Sequence, residues 1–304
     1  MIPTSEKIYR GRFAPSPTGP LHFGSLVAAI GSYLQAKSQA GEWLVRMEDI
    51  DTPRNVPGAA ENILRTLDAF GFEWDGAVVY QSQRDEFYRT AIEQLALQGA
   101  TFPCACSRRE IADSSLLGIE GPIYPGTCRK APPSARAARA IRVRVEETSV
   151  EFTDLMQGAI AQNLATQIGD FVLRRADGIV TYQLAVVVDD ANQGITEIIR
   201  GADLLASTPR QIFLQRLLGY ATPRYGHLPI ATNNAGEKLS KQTLAQSIHA
   251  TNATTLLFDA LYLLGQNPPA ELRQSSQKPL WDWALGHWSL ASVARNRSRI
   301  APML

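Results

Sequence analysis

The stretch that most constrains this chain lies near its start, Arg10-Gly-Arg-Phe-Ala-Pro-Ser-Pro-Thr-Gly-Pro-Leu-His-Phe-Gly-Ser25. A β-prone run over residues 8–14 meets Pro15, Pro17, Gly19 and Pro20, which can neither continue a strand nor open a long helix. Beyond Gly24 the pattern turns helical, with Leu26, Ala29, Ile30, Tyr33 and Leu34 on one face and Gly41 as the stop. Strand, tight loop and helix N-terminus follow one another. That geometry gathers backbone N–H groups and the positive end of a helix dipole, which suits a phosphate. His22 stands just ahead of the helix, where its imidazole can donate to the same anion. The alternative for so short a pattern is an ordinary βα turn with a buried histidine.

A second stretch lies far downstream, Glu237-Lys-Leu-Ser-Lys-Gln242. Lys238 and Lys241 deliver two compact ammonium charges from a loop, as a reacting triphosphate requires. A solvated surface loop is the alternative. As a pair, in this order and at this separation, the two stretches resemble the signature loops of class I aminoacyl-tRNA synthetases. His22-Phe-Gly-Ser25 stands for the first and Lys238-Leu-Ser-Lys-Gln242 for the second. The first departs from the common form in having Ser25 where a second histidine is often found, which leaves one histidine to face the phosphates.

The 304 residues are 45% hydrophobic and 19% charged, an ordinary globule with room for one large domain or two smaller ones. A net charge of +1 excludes the strongly basic footprint of a non-specific nucleic-acid binder but permits a local basic face. The first ten residues hold no apolar targeting segment, and the apolar run 184–188 is far too short to span a bilayer. Three cysteines, an odd number, favour a reducing compartment. The expectation is a cytoplasmic protein with no membrane association.

Along the chain, Trp43 to Met47 reads as a second strand ending in Glu48-Asp-Ile-Asp51. Carboxylates at a strand C-terminus beside a phosphate loop lie where open α/β sheets bind ligands. Glu48 is assigned there to a substrate ammonium group. Asp51 or Asn55, ahead of Pro57, is assigned to a helix N-cap. A helix burying Ile63, Leu64, Leu67 and Phe70 follows, then a short strand at 78–80 and a helix from Arg84 to about Gln98. This is the alternation of a doubly wound parallel sheet. Later, Asp177-Gly178 signals a hairpin, the apolar run after Tyr182 reads as a buried strand ending in Asp189-Asp190, and residues 196–200 form another strand. Arg200 ends that strand, a natural fork for a carboxylate. A helix capped at Thr208-Pro209 buries Ile212, Leu214, Leu217 and Leu218. Helices are expected from Thr243 onward, with a break at Pro268-Pro269 and a basic tail of Arg295, Arg297 and Arg299.

All three cysteines, Cys104, Cys106 and Cys128, fall in one short region. Clustered thiolates in a reducing compartment suggest a tetrahedral structural zinc. Tyr124 is the best oxygen candidate for the fourth ligand, with Asp113, Glu110 or water as alternatives, and chance clustering without metal remains a reading. A capping box, Ser107 to Glu110, starts a short helix. Arg129, Lys130, Arg136, Arg139, Arg142 and Arg144 form a basic run, either a footprint for a phosphate backbone or plain surface charge.

Arg12-Phe-Ala-Pro-Ser-Pro-Thr-Gly19, Val186-Val-Val-Asp-Asp190 and Ile198-Ile-Arg-Gly-Ala-Asp-Leu-Leu205 narrow the resemblance to the glutamate branch of class I synthetases, over roughly residues 8–245. The resemblance implies a Rossmann-like doubly wound α/β catalytic domain in two halves, 1–103 and 181–245. It further implies a zinc-containing α/β insertion over 104–180 and a helical segment over 246–304. Arg12, Phe13, Ala14, Pro15, Ser16, Glu48, Tyr182 and Arg200 would bind glutamate, with Glu48 at its α-ammonium. His22, Gly24, Ser25, Lys238, Ser240 and Lys241 would bind ATP with Mg2+, and His22 and Lys241 would act in catalysis. Residues 243–304 are expected to be too few for a large anticodon-binding region. The short form with a Cys-x-Cys and Tyr-x-x-x-Cys cluster looks like the stand-alone cores of this branch. Those activate glutamate with ATP and attach it to queuosine of tRNA(Asp), which makes L-glutamate, ATP and that tRNA the expected partners of a monomeric enzyme. The sequence offers no clear general base for the transfer step. A truncated glutamyl-tRNA synthetase, a small-molecule nucleotidyl transferase and a non-catalytic RNA-binding module are the rival readings.

Overall fold

The computed structural model of the chain describes residues 8–114, 116–119, 121–131, 137–146, 149–239 and 248–301. Strand β1 (Arg10–Phe13) ends where Pro15 and Pro17 remove the N–H groups that pairing needs. Helix α1 (Phe23–Ser38) then crosses over to β2 (Glu42–Met47), which lies parallel to β1 with Arg12 opposite Leu44. Helix α2 (Ala59–Ala69) leads to β3 (Val79–Tyr80), parallel to β2. The expected cap of α2 is absent: its N-cap is Gly58, at φ 75°, with no side-chain bond. Asp51 instead pairs with Arg54 and Arg175, and Asn55 donates to the carbonyl of Asp49.

From α3 (Asp85–Leu97) the chain makes a long excursion. Strand β4 (Thr101–Cys104), short helix α4 (Arg108–Ser114) and the hairpin of β5 (Leu117–Gly118) with β6 (Gly121–Pro122) precede β7 (Ala140–Val143). The capping box holds, with Glu110 accepting from Ser107 N at 2.8 Å. Next come the hairpin of β8 (Ser149–Asp154) with β9 (Gly158–Asn163), a single turn α5 (Leu164–Gln167) and β10 (Val172–Arg174). Strands β10, β7 and β4 form an antiparallel sheet in that order. The Asp177-Gly178 turn forms with Gly178 at φ 92°, but its second arm is only the single bridge of Val180 to Arg174.

The apolar run after Tyr182 is helix α6 (Tyr182–Asn192), where the sequence predicts a strand. Residues 184–190 are all buried, so no polar period marks the helix. The β-branched valines sacrifice only a few tenths of a kcal/mol each in helical propensity. Burying each side chain contributes roughly 1.5–3 kcal/mol, which decides the outcome. The chain rejoins the main sheet at β11 (Glu197–Gly201), and helix α7 (Thr208–Leu218) carries it to the parallel β12 (Arg224–Leu228).

Thr196 N donates to the Arg10 carbonyl at 2.9 Å, which seats β11 beside β1. The parallel sheet β3-β2-β1 and the parallel pair β11-β12 therefore lie side by side, giving the spatial order β3-β2-β1-β11-β12. That is the doubly wound arrangement, and its crevice opens at the carboxyl ends of these strands. Helix α1 packs on β1 and β11 on one side and on α8 (Ala253–Leu263) and α9 (Gln277–His287) on the other. Burial on both sides covers eleven of its sixteen residues. A Cβ on Gly31 would lie 2.5 Å from Leu228 Cδ1, so glycine there lets α1 lie flush on β12. Beyond β12, the three-residue strand Ile230–Thr232 pairs parallel with Ser298–Ile300. The basic tail, expected as helix, thus returns to the sheet, where Arg299 Nη1 donates to the Leu263 carbonyl. No helix among the described residues is long and apolar enough to cross a membrane.

Candidate active site

One cleft of ≈ 470 Å³ opens at the carboxyl edge of the parallel sheet. Arg12, Phe13, Ala14, Pro15 and Ser16 line it from the end of β1, and Glu48 from the end of β2. Tyr182 reaches it from the start of α6 and Arg200 from β11. His22, Gly24 and Ser25 enter from the start of α1, and Lys238 and Leu239 from the downstream loop. Ser240 and Lys241 lie outside the described residues.

The two signature stretches meet directly. A Cβ built on Gly24 would stand 3.2 Å from the Leu239 carbonyl oxygen and 3.2 Å from the His22 ring. The second loop is held there by Leu239 N donating to Ala231 O at 2.9 Å, and by Lys238 Nζ donating to Asp203 Oδ2 at 2.6 Å. His22 is the N-cap of α1, its Nδ1 accepting from Ser25 N at 3.2 Å. In the neutral ring this leaves the proton on Nε2, which lies 3.1 Å from Ser25 Oγ. The cap thus aims a donor and a helix N-terminus at one place. No acidic side chain occupies the first turn of α1 to compete with an anion.

Beneath the cleft lies a charge cluster that sequence reasoning missed in part. Asp190, in the last turn of α6, accepts from Arg12 Nε at 3.1 Å and Nη2 at 3.3 Å, and from Arg46 Nη1 at 2.9 Å. Asp189 takes Arg84 Nε at 2.6 Å, Gln81 Nε2 at 2.8 Å and the Tyr88 hydroxyl at 2.9 Å. Two carboxylates at a helix C-terminus oppose the dipole, and buried charges need partners. Arg12, Arg46 and Arg84 supply them. Arg46 also reaches Glu48 Oε1 from Nη2 at 3.3 Å. Its Nε makes no hydrogen bond, and the Asp189 oxygen 3.8 Å away gives attraction only. Burial raises the Asp190 carboxyl, but Arg12 and Arg46 overcome it and hold the group below its ordinary range. At Glu48 burial prevails over Arg46 and Arg12, and the carboxyl is raised. The sequence signal for Arg46 was available: a charge inside the apolar strand 43–47, two residues before Glu48 and on the same strand face.

Arg200 is buried, with Nη1 on the Tyr182 hydroxyl at 3.2 Å and Nη2 on Thr208 Oγ1 and Gln211 Oε1, both at 2.8 Å. Its Nε donates to His227 Nε2 at 3.0 Å, across the β11–β12 register in which these two residues are opposite.

Cys104, Cys106 and Cys128 place their sulfurs within 4.8 Å of one another. The Tyr124 hydroxyl lies 3.5 Å from the sulfurs of Cys104 and Cys106 and accepts from Cys128 N at 2.8 Å. Three soft donors and a phenol oxygen converging on one point fit a zinc ion. Arg142 stacks on the Tyr124 ring at 4.1 Å and donates to Cys104 Sγ at 3.4 Å, a cation suited to a thiolate-rich centre. Burial opposes ionisation of Cys104, yet its hydrogen bonds with Tyr124 and Arg142 bring the thiol below its usual value. The basic run is thus partly internal. Arg142 is buried, Arg129 is paired with Asp170 at 2.6 Å and Arg144 lies over Phe102, while Lys130 and Arg139 are exposed and Arg136 falls outside the described residues.

The family model of tRNA synthetases class I (E and Q), catalytic domain, matches residues 9–273. A protein named glutamyl-Q tRNA(Asp) synthetase in Dechloromonas aromatica is 60% identical over 97% of this chain and 98% of its own. The chain belongs to the glutamyl-Q tRNA(Asp) synthetase family of class I synthetases. A second member, from Aromatoleum aromaticum, is 56% identical over 99% of this chain and 96% of its own. Among solved structures, a glutamate-tRNA synthetase from Elizabethkingia anophelis shares the fold with a TM-score of 0.79 at 25% identity. It is matched by 97% of this chain over 68% of its own length. The likeness to the glutamate branch carried by the sequence motifs, and the doubly wound class I fold, are thereby established for this synthetase-family chain.

Proposed function

We propose that the cleft activates L-glutamate with Mg-ATP and that the chain transfers the glutamyl group to queuosine in the anticodon of tRNA(Asp). The observation that carries this reading is the union of one partly buried carboxyl, Glu48, and two buried guanidiniums with a phosphate-type helix start in a single cleft. Asp190 occupies two of the five Arg12 N–H groups, so the others remain for a carboxylate. Arg200 keeps one N–H of Nη1 beside the Tyr182 hydroxyl. Together they match a dicarboxylic amino acid, while Glu48 receives its ammonium group.

In the first step a glutamate α-carboxylate oxygen attacks the α-phosphorus in line, forming the P–O bond of the adenylate as the bond to pyrophosphate breaks. His22 Nε2–H, the α1 N-terminus and the lysine loop carrying Lys238 and Lys241 stabilise the developing charge. Catalysis here is positioning and electrostatics. In the second step a hydroxyl of the queuosine ring attacks the activated carbonyl and AMP leaves. Zn2+ held by Cys104, Cys106, Cys128 and Tyr124 would pin the β4–α4 region, which has little apolar core of its own.

Incubating the protein with labelled glutamate, ATP and tRNA(Asp), with and without queuosine, tests the reading. Label on the queuosine-containing RNA alone supports it; equal labelling of both RNAs refutes it. Labelling of tRNA(Glu) instead identifies a conventional charging enzyme.

A further inference from the structure

His227 is completely buried and plays no part in the chemistry above, yet it is bonded at both ring nitrogens. Nε2 receives the Arg200 Nε–H at 3.0 Å, and Nδ1 lies 2.6 Å from Asp154 Oδ2. Arg200 can only donate, so Nε2 must carry a lone pair and the proton must sit on Nδ1. Asp154 enforces that tautomer. Its other oxygen, Oδ1, accepts from the backbone N–H of Met156, Gln157 and His227 at 3.0, 2.9 and 3.2 Å. A carboxylate so surrounded by donors stays ionised and accepts from Nδ1–H. These three residues come from three separate strands: Asp154 ends β8 in the hairpin of the long excursion, His227 lies in β12 and Arg200 in β11.

We infer that Asp154 and His227 are positioning residues that orient the Arg200 guanidinium toward the substrate carboxylate. The hairpin of β8 and β9 thereby contributes to amino-acid recognition without touching the amino acid. This rests on the reading of Arg200 as a glutamate ligand. With Nε fixed by the imidazole and Nη2 by Thr208 and Gln211, the plane of the guanidinium is set, and Nη1 is the corner left for the cleft. Removing the acceptor at Nε frees the group to rotate away. Reversing the tautomer is worse, because two N–H groups would then face each other.

Asp154→Asn does the latter while keeping the size of the side chain. Its amide N–H2 would face Nδ1, force the ring proton onto Nε2 and oppose Arg200 Nε. Glutamate-dependent pyrophosphate exchange is the readout, with the KM values for glutamate and ATP measured separately. Asp154→Asn and His227→Phe are expected to raise the glutamate KM about tenfold or more, the worth of one hydrogen bond to a charged group. The ATP KM should stay within about twofold, since the bonds of the His227 ring run to Arg200, Thr208 and Asp154. His227→Gln, which puts an amide oxygen near the Nε2 position, should recover most of the loss; His227→Asn, which retains only a donor to Asp154, should not. Spectra of 15N-histidine protein should show the His227 proton moving from Nδ1 to Nε2 in Asp154→Asn.

Arg200→Gln separates the two levels of the argument. If it raises the glutamate KM while Asp154→Asn and His227→Phe leave it unchanged, the relay is refuted and the site stands. If Arg200→Gln also leaves it unchanged, the assignment of Arg200 fails. If both KM values move in parallel in the relay variants, or His227→Gln and His227→Asn behave alike, the role is merely structural and the inference falls.

Discussion

Asp190→Asn should destabilise the protein by about 3 kcal/mol, at the lower end of the cost of breaking a buried ion pair. Asp190 is the shared counter-ion of Arg12 and Arg46, with three N–O distances between 2.9 and 3.3 Å; Arg46 is fully buried and Arg12 is almost so, at the wall of the cleft. The amide still accepts one hydrogen bond, but it leaves Arg12 with no other carboxylate within bonding distance among the described residues. The cost arises because two cations remain buried with less anion between them, not because a contact of fixed value is lost. Asp282→Asn gives the comparison. That carboxylate meets Lys278 at 2.9 Å on the exposed face of α9, with side-chain exposures of 62% and 82%, so its loss should cost at most about 0.5 kcal/mol. Urea unfolding at pH 7, followed by circular dichroism, measures both, with an unchanged m-value as the check that the unfolded states are comparable. The folded Asp190 carboxyl lies below its ordinary value, so its contribution is present above about pH 4 and disappears as pH falls through the folded value. The gap between wild type and Asp190→Asn should therefore close in acid. Equal midpoints for Asp190→Asn and Asp282→Asn would refute the reasoning.

His227 is held down to about 4 from 6.5, chiefly by burial and, with opposite sign to Asp154, by Arg200. The unfolded chain takes up that proton first, so stability should drop by about 3 kcal/mol as pH falls from 6.5 to 4, and His227→Gln should remove this component in pH-dependent unfolding. Burial raises Glu48, so glutamate affinity should weaken on acidification as its carboxylate is protonated, and calorimetric titration of Glu48→Gln should show weak binding without that acid limb. Cys128→Ser should abolish a single zinc per chain in elemental analysis and lower the melting temperature; retention of full zinc content would dismiss the site. His22→Ala should reduce pyrophosphate exchange by roughly 10²-fold or more through lost charge stabilisation, against a stability loss near 1 kcal/mol from the missing cap.

The sequence made the first strand, the proline-rich loop and α1 legible because each of those residues obeys a local rule, from Pro15 blocking pairing to His22 preceding the helix. Glu48 and Arg200 could be placed from their positions at strand ends, whereas Arg12 and Tyr182 came from the family resemblance; all four line the one cleft. Residues 184–190 were misread because burial on every side erases the period by which a helix announces itself. The tail was misread because the pairing of residues 298–300 with 230–232 is a matter of tertiary contact, invisible in local composition. Asp154 and His227 stand 73 residues apart and carry no motif, and only the register of β11 against β12 shows what they face. The basic run failed differently: Arg142 and Arg144 alternate with apolar neighbours in β7, and the guanidiniums fold back over the rings of Tyr124 and Phe102.

The carbonyl of Leu239 resting against Gly24 ties the fates of two segments more than two hundred residues apart. A methyl group at position 24 would meet that carbonyl and the His22 ring at 3.2 Å, so the path of the downstream backbone must shift by a few tenths of an ångström to admit it. Chimeras that exchange the amino-terminal half of this chain with that of a distant cousin should therefore succeed only when the downstream lysine loop is transplanted alongside it.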